Sequence, residues 1–346
     1  MAQAPEHPLL SLPDNQIIRK IRKTSLKEIL KFSLISKRCK DLVTTAGIEG
    51  LAFYVFIGNK ITIMIKTCRN IIELGFYTEP DMYWGIGANG RKKRLTPPQS
   101  ITVQRPLGPT ETITFESMKK DGTMKDWLKH FQIVFNHVKI DKIQFSENSS
   151  EFDIDDIKAV FGIPTEMEIG NTGCFAFNQM ILQKFFPIKD LGIKTESFQD
   201  SKIPPSLLMQ NFDALNIQRD SNAPKNITLD ELLLINSKVI TVDSLHISPK
   251  ELNKFIQLWQ RGANPRMEYF RIDNFKNQQD DENNIMKGIK KVNPLDRVRI
   301  FESGRFESPV SGGTNISRMD GVIATIRHWE GHSILEMYVW FDHCLC

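Results

Sequence analysis

The sequence predicts an α+β protein that passes from a helical segment through antiparallel strands into a repeat-like α/β region. Apolar residues recur at helical spacing over the first fifty positions, and β-rich runs separated by polar pairs follow Gly50. From residue 136 onward, strand-like runs recur at intervals of roughly 24 to 28 residues, with helical stretches between them. These three patterns divide the chain into residues 5–50, 51–135 and 136–346.

The composition is that of a folded chain, since 40% of its 346 residues are hydrophobic and 25% are charged. A net charge of +4 is too small to indicate a nucleic-acid-binding protein, so nucleic acid is a disfavoured partner. No apolar run approaches the roughly 18 to 20 residues of a membrane span, and the first residues lack a signal-peptide pattern. Five scattered cysteines indicate reduced thiols. We therefore expect a protein of the cytoplasm, the nucleus or both, with no membrane partner.

Three short helices are predicted at the N-terminus. Pro13 suits a first helical turn and Asp14 its positive dipole end. Glu28 follows Ser25 at the spacing of a capping box, which predicts a second helix, and a third extends to Val43. Helices this short cannot bury all their aliphatic side chains among themselves. We therefore expect a second polypeptide to cover them.

The segment from Pro8 to Val43 resembles an F-box. The resemblance rests on the leading Leu12-Pro13, the aliphatic spacing that follows, and the closing run from Ser33 to Arg38. It implies a three-helix unit that docks on a Skp-type adaptor of a cullin–RING ubiquitin ligase. By this resemblance the adaptor-binding residues are Leu10, Leu12, Pro13, Ile17, Ile21, Leu30 and Leu34. The alternative is that these residues form the core of an unrelated helical domain.

Residues 51–135 are predicted to begin as an antiparallel meander. Short polar breaks such as Gly58-Asn59 separate successive β-rich runs, as in strands joined by tight turns. The predicted strands are Phe53–Ile57, Lys60–Ile65, Ile71–Tyr77 and Ile101–Val103.

Residues 136–346 are predicted to form a leucine-rich-repeat-like α/β solenoid, because the interval between strand centres is the length of one strand plus one helix. The strand centres are 140–145, 167–169, near 193, 215–217, 239–242 and 269–272. The helical stretches are 153–161, 177–185, 203–211, 229–236 and 249–260. Independent βαβ packing remains an alternative.

One unit of this region carries a recognisable signature. Ser248 with Glu251 predicts a capped helix, Gly262 a left-handed C-terminal residue, and Asn264-Pro265 its end. The run from Leu258 to Phe270 (LWQRGANPRMEYF) resembles the signature of the type 2 F-box-associated domain, which is abundant in nematode F-box proteins. The resemblance covers residues 190 to 280, and it implies that this part of the chain binds a target protein.

The C-terminal portion is predicted to return to strands at Arg297–Phe301, Gly321–Ile326 and Leu335–Trp340. Gly331-His332 separates the last two, which predicts a β-hairpin. Such a hairpin would cap the repeats, whose last strand otherwise presents a bare sheet edge. The stretch Ser303–Ser317 is predicted to be a loop.

Polar side chains alternate along the predicted strands of the repeats. If they share one face of the sheet, that face is the candidate target-binding surface. These candidate substrate-binding residues are Asn216, Gln218, Thr241, Asp243, Arg271 and Asp273. The alternative is an ordinary solvated sheet face.

Residues 85–94 contain two further motifs. Gly85–Gly90 has the spacing of a dinucleotide-binding loop, but Pro97-Pro98 preclude the helix that must follow it. We expect a loop. The basic run Arg91–Arg94 is expected to be solvated, with nuclear import or phosphate binding as alternatives.

No catalytic, cofactor-binding or metal site is predicted. His332, His343, Cys344 and Cys346 are metal-type donors, but the Cys-x-Cys spacing is tight and no second cysteine pair exists. The acidic group at Asp153 is expected to cap a helix.

The sequence therefore predicts the substrate-recognition subunit of an SCF-type cullin–RING E3 ubiquitin ligase. Its expected partners are a Skp-type adaptor, through it the cullin–RING ligase, and a target protein. The alternatives are a scaffold without a ligase role, a nucleotide-binding enzyme, and an F-box protein whose repeats read nucleic acid.

Overall fold

A computed structural model describes most of the chain, in two compact units. The first unit comprises Met1–Thr165 with Met180–Phe186, and the second comprises Glu166–Gln179 with Pro187–Cys346. The described residues are 8–68, 71–76, 92–93, 95, 100–104, 111–114, 123–218, 227–243, 247–273, 284–292, 298–304, 306–329 and 334–344.

The first unit opens with the three predicted helices. A 3₁₀ turn at Pro8–Ser11 precedes them, and the helices are α1 (Asp14–Ile21), α2 (Leu26–Ile35) and α3 (Lys37–Thr45). Serine caps set two of the starts: Ser25 Oγ accepts from the Glu28 amide, and Ser36 Oγ accepts from the Cys39 amide at 3.1 Å. The predicted helical segment is confirmed.

Antiparallel strands follow in the same unit. Each of β1 to β4 pairs with the next strand in the chain, and the predicted runs are confirmed. The strands are β1 (Gly50–Ile57), β2 (Ile61–Thr67), β3 (Ile71–Phe76), β4 (Ser100–Gln104) and β5 (Glu111–Thr114). Strand β5 was not predicted.

Two helices and a sixth strand complete the described part of this unit. Helix α4 (Met124–Val134) is started by a Thr123–Asp126 capping box, and helix α5 spans Ile154–Phe161. Strand β6 (Lys142–Phe145) runs parallel to β1, with Ile143 opposite Val55. Because β6 pairs with β1, residues 136–165 belong to the first unit, and the structure does not divide the chain at the predicted boundary of 135/136.

Five parallel strands form the centre of the second unit. Their order in the sheet follows their order in the chain, and Leu215 lies opposite both Leu191 and Ile240. The strands are β7 (Glu166–Ile169), β8 (Asp190–Lys194), β9 (Ala214–Gln218), β10 (Val239–Val242) and β11 (Tyr269–Ile272). The helices between them are α6 (Phe175–Phe185, whose last turns belong to the first unit), α7 (Pro205–Leu208), α8 (Leu229–Leu234) and α9 (Pro249–Gln260).

Side chains alternate along β7, β9 and β10 between a buried apolar face and a half-buried polar face, and in β11 Tyr269 is buried on the side of Arg271. Helix α9 packs on the apolar face, where the rings of Phe255 and Phe270 lie 4.9 Å apart. The Ser248–Glu251 capping box starts α9, and Gly262 follows it with φ of +102°, a value that favours glycine. The alternation of strand and helix confirms an α+β architecture, while the leucine-rich-repeat-like solenoid stays a prediction.

The predicted C-terminal hairpin is present. Strands β15 (Ile323–Trp329) and β16 (Ile334–Trp340) pair antiparallel, and β16 pairs antiparallel with β11. The predicted turn at 331–332 lies outside the described residues. The hairpin covers the free edge of β11, as expected.

The prediction of a loop at Ser303–Ser317 is wrong. Strand β12 (Arg299–Ser303) pairs with β13 (Phe306–Val310), and β14 (Thr314–Ser317) pairs with β15. The β12–β13 ribbon packs Phe301, Phe306 and Val310 against aromatic residues of β11 and β16, while Glu307 and Ser308 of β13 are polar. A two-stranded ribbon with one buried face needs few apolar residues. Its sequence therefore shows only a weak strand pattern, which is why a loop was predicted.

No described helix combines the length and the apolarity that a membrane crossing requires.

Candidate functional site

Three of the seven predicted adaptor-binding residues lie in the core of the first unit. Ile17 and Leu30 are 0% exposed and Ile21 is 2% exposed. Leu10, Leu12 and Leu34 are half-buried, and Pro13 is exposed. Ile17, Ile21 and Leu30 are therefore core residues of the free chain. Their role in adaptor binding stays a prediction.

The cover comes from the chain itself, because α1 and α2 both pack against α3. Helix α3 packs against α4, and Ser33 of α2 hydrogen-bonds to His130 of α4, Oγ to Nε2, at 2.9 Å. We expected the apolar surface of α1 to α3 to require a second polypeptide. Helix α4, eighty residues further along the chain, covers part of it.

An apolar edge of the helical module stays accessible. The Arg38 guanidinium donates to the Asp14 carboxylate at 2.8 Å, which ties the start of α3 to the start of α1. The residues before these two positions, Leu12-Pro13 and Leu34-Ile35, consequently lie at the same end of the module. Ile35 is 44% exposed. We call Leu10, Leu12, Pro13, Leu34 and Ile35 the helical edge.

A cleft of about 750 Å³ opens elsewhere in the first unit. It lies between the α1–α2 turn, the end of α3 and the end of β2, and its lining includes Arg22, Ile29, Ala46 and Thr67. Arg22 Nε donates to the Ala46 carbonyl at 3.0 Å, so the one arginine in the lining is already hydrogen-bonded to the backbone. The sequence pattern did not predict this cleft.

The six predicted substrate-binding residues share one face of the parallel sheet. Thr241 lies between Asn216 and Arg271 in the register of β9, β10 and β11. The other three follow these positions by two residues, and all six are half-buried. We call Asn216, Gln218, Thr241, Asp243, Arg271 and Asp273 the polar sheet face. The structure brings the predicted residues together; their role in binding stays a prediction.

Arg271 is paired within this face. Its Nε and Nη2 lie 2.8 and 2.7 Å from one oxygen of Asp273, and its Nη1 lies 3.6 Å from Glu336. The hydrogen bond to Asp273 raises the pKa of Arg271 further above its ordinary value. A partner that binds the Arg271 guanidinium must therefore displace Asp273 from it. The groups of this face that we expect to be available to a partner are mainly hydroxyl, amide and carboxylate groups.

A buried carboxylate next to this face organises the aromatic residues around it. Glu336 accepts hydrogen bonds from the Tyr269 hydroxyl at 2.6 Å, Trp329 Nε1 at 2.5 Å and the Tyr338 hydroxyl at 2.9 Å. Burial, and then the charge of Glu336, raise the pKa of Tyr338 to about 12, and the pKa of Tyr269 is raised for the same reasons. The hydroxyls therefore remain donors, which compensates the buried charge.

A second buried carboxylate lies beside the C-terminal turn. Glu268 is 4% exposed; its Oε2 accepts from the Ser303 hydroxyl and its Oε1 from His343 Nε2 at 3.0 Å. Burial and the charge of Glu268 raise the pKa of the Cys344 thiol to about 11. Donor atoms of Glu268, His343 and Cys344 all lie within 4.8 Å of one another. Of the four metal-type donors noted in the sequence, His332 and Cys346 lie outside the described residues. No sequence motif pointed to Glu268.

Two motifs remain, the glycine-rich and basic segment at residues 85–94 and the acidic group at Asp153. Gly85–Gly90, Arg91 and Arg94 lie outside the described residues. Lys92 Nζ donates to the Ser150 carbonyl at 2.7 Å, and Lys93 pairs with Glu151, so two cations of the basic run bind the chain itself. Asp153 accepts from the Asp155 amide at 2.8 Å, which confirms the predicted helix cap.

Comparison with known proteins identifies one region. Residues 203–272 match the family model described as F-box associated. This part of the chain is therefore similar to F-box associated domains. The matched residues include α9 and the run from Leu258 to Phe270, so the resemblance found in the sequence is confirmed there. The F-box resemblance of Pro8 to Val43 lies outside the match and stays a prediction.

A relative in Caenorhabditis elegans, the F-box associated domain-containing protein sdz-33, is 24% identical over 282 residues. The alignment covers 79% of this chain and 80% of the relative. No solved structure matches the chain.

Proposed function

We propose that the chain is the substrate-recognition subunit of an SCF-type cullin–RING E3 ubiquitin ligase. The F-box associated match at residues 203–272 carries the proposal, because it occurs in a chain whose N-terminus has an F-box-like sequence and folds into three short helices. The relative that aligns over four-fifths of its own length is also named for this domain.

The helical edge is the surface that we expect a Skp-type adaptor to cover. Leu10, Leu12 and Leu34 are only half-buried, and Pro13 and Ile35 are exposed, so contact with a partner would remove further apolar area from water. Each Å² buried stabilises a complex by about 25 cal/mol before the cost of association. Ile17, Ile21 and Leu30 lie buried in the same three helices.

The polar sheet face is the surface that we expect to hold the target protein. Its side chains alternate along β9, β10 and β11, and they are held by a backbone ladder rather than by loops. In this proposal the strand-and-helix units form a leucine-rich-repeat-like array. The chain itself has no catalytic role. It raises the effective concentration of the target near the ligase, in the cytoplasm or the nucleus.

Co-expression with a Skp-type adaptor tests the first half of the proposal. The full chain should co-purify with the adaptor, and the double variant Leu12→Asp with Pro13→Ala should lose most of it. Val138→Asp is the matched control: Val138 is 79% exposed in the same unit and far in sequence from the helical edge. Undiminished recovery of the adaptor by the double variant would refute the docking surface.

Co-purification and a thermal-shift measurement together separate the alternatives. A scaffold without a ligase role would bind the adaptor but would not bring a cullin with it. An enzyme that binds nucleotides would be stabilised by them: a ligand at 100 times its Kd adds about 2.7 kcal/mol to the free energy of unfolding. Such a thermal shift, without adaptor binding, would favour the enzyme.

A further inference from the structure

We propose that Glu268, His343 and Cys344 form a binding site for one Zn²⁺ ion at the C-terminal turn. The three side chains offer a carboxylate oxygen, an imidazole nitrogen and a thiol sulfur, all within 4.8 Å of one another. Zinc accepts all three donor types, at metal–ligand distances of about 2.0 to 2.3 Å. Mixed nitrogen, oxygen and sulfur donors favour zinc over magnesium or calcium, which prefer oxygen alone.

The backbone holds the donors in place before any ion binds. Glu268 immediately precedes β11; its amide donates to the Lys238 carbonyl at 2.7 Å, and its carbonyl accepts from the Val339 amide at 2.8 Å. Cys344 ends the 3₁₀ turn Asp342–Cys344, and its amide donates to the Phe341 carbonyl at 2.9 Å. The site therefore joins β11 to the turn that follows β16.

Burial differs among the three donors in a way that suits an ion entering from solvent. The Cys344 side chain is buried and the Glu268 carboxylate nearly so, whereas the His343 side chain is 64% exposed. An ion would bind the two fixed donors from the side on which the imidazole lies. Three protein ligands leave the fourth tetrahedral position to water.

The two oxygens of Glu268 have separate partners. Oε2 is held by the Ser303 hydroxyl, and Oε1 lies toward His343. Oε1 can therefore become the ligand while Ser303 continues to orient the carboxylate, as outer-shell partners of metal ligands do.

Lys238 competes with an ion for the same oxygen. Its Nζ lies 3.8 Å from Glu268 Oε1 and 3.7 Å from Asp213 Oδ1. When zinc binds the Glu268 carboxylate, the Lys238 ammonium can move toward Asp213. The positive charge that would oppose zinc binding therefore already has a second carboxylate partner.

Zinc binding releases one proton. The Cys344 thiol loses its proton to solvent as the sulfur–zinc bond forms. His343 binds the metal through Nε2, so the proton of the neutral imidazole is carried on Nδ1 instead of Nε2. No oxidant or reductant is involved.

Metal titration of the untagged full-length chain tests the site. After treatment with a chelator, the protein should bind one equivalent of Zn²⁺ in competition with a chromophoric chelator. Co²⁺ should give a thiolate-to-metal charge-transfer band. Cys344→Ser should abolish that band, and His343→Ala should weaken zinc binding by more than the roughly 10–100-fold that loss of an outer-shell partner costs.

Matched controls are Cys174→Ser and His328→Ala, which change the same residue types in the second unit outside the cluster and should bind zinc like the wild type. Lys238→Met should bind zinc more tightly, because it removes the competing cation. His343 is exposed, so His343→Ala should keep its fold, as circular dichroism would verify. No stoichiometric binding, or equal zinc affinity in His343→Ala and the wild type, would overturn the proposal.

Discussion

The hydrogen bonds around Glu336 lead to a prediction about stability. Glu336→Leu replaces the carboxylate with an apolar side chain of similar size. It therefore removes the acceptor that Tyr269, Tyr338 and Trp329 share. A buried donor without a partner costs about 1–3 kcal/mol. Trp329 is exposed enough for water to replace the carboxylate, whereas the hydroxyls of Tyr269 and Tyr338 belong to buried side chains. The cost therefore falls on these two hydroxyls, and we expect a total loss of about 2–6 kcal/mol.

Urea unfolding followed by tryptophan fluorescence would measure this loss. Glu307→Leu, on the exposed side of β13, is the matched control and should change the free energy of unfolding by less than about 0.5 kcal/mol. Adding Tyr269→Phe to Glu336→Leu should recover part of the loss, because the orphaned hydroxyl is then gone. If Glu336→Leu is as stable as the control, the carboxylate does not organise this region, and the reasoning fails.

Two further predictions concern a helix start and the core of the first unit. Ser248→Ala should destabilise the second unit by about 1 kcal/mol, because it removes the cap of α9. The Ser248 hydrogen bonds lower the pKa of Glu251, so their contribution to stability should be present at neutral pH and lost as the pH falls through that lowered pKa. Thermal unfolding at pH 7 and pH 3 would check both statements, and a difference that grows in acid would contradict them. Ile17→Ala should cost about 2–5 kcal/mol in urea unfolding, whereas Leu12→Ala should cost much less; equal losses would contradict the assignment of Ile17 to the core.

Local signals predicted most of the secondary structure. Strands β10 and β11 and helix α9 begin and end where the sequence indicated, because a capping box, a terminal glycine and alternating apolar residues are all local. Helix α4 carries a comparable signal, the Thr123–Asp126 capping box, which the sequence reading missed.

Contacts between distant parts of the chain were not predictable in this way. Ile17 and Leu30 have the spacing of an exposed interface, and only their burial in the folded chain shows that they are core. Glu268 meets His343 because β11 pairs with β16, which brings together positions 75 residues apart. The polar sheet face was predictable, since period-two alternation fixes which residues share a face once the strands are known.

Calorimetric titration of a purified Skp-type adaptor into the full chain is the most direct test of the proposed role. We expect a one-to-one complex for the wild type and for Val138→Asp, and at least about tenfold weaker binding for Leu12→Asp with Pro13→Ala, equivalent to about 1.4 kcal/mol. A wild-type chain that is folded and releases no heat of binding with any adaptor would contradict the proposal that its N-terminal helices connect a target to a ligase.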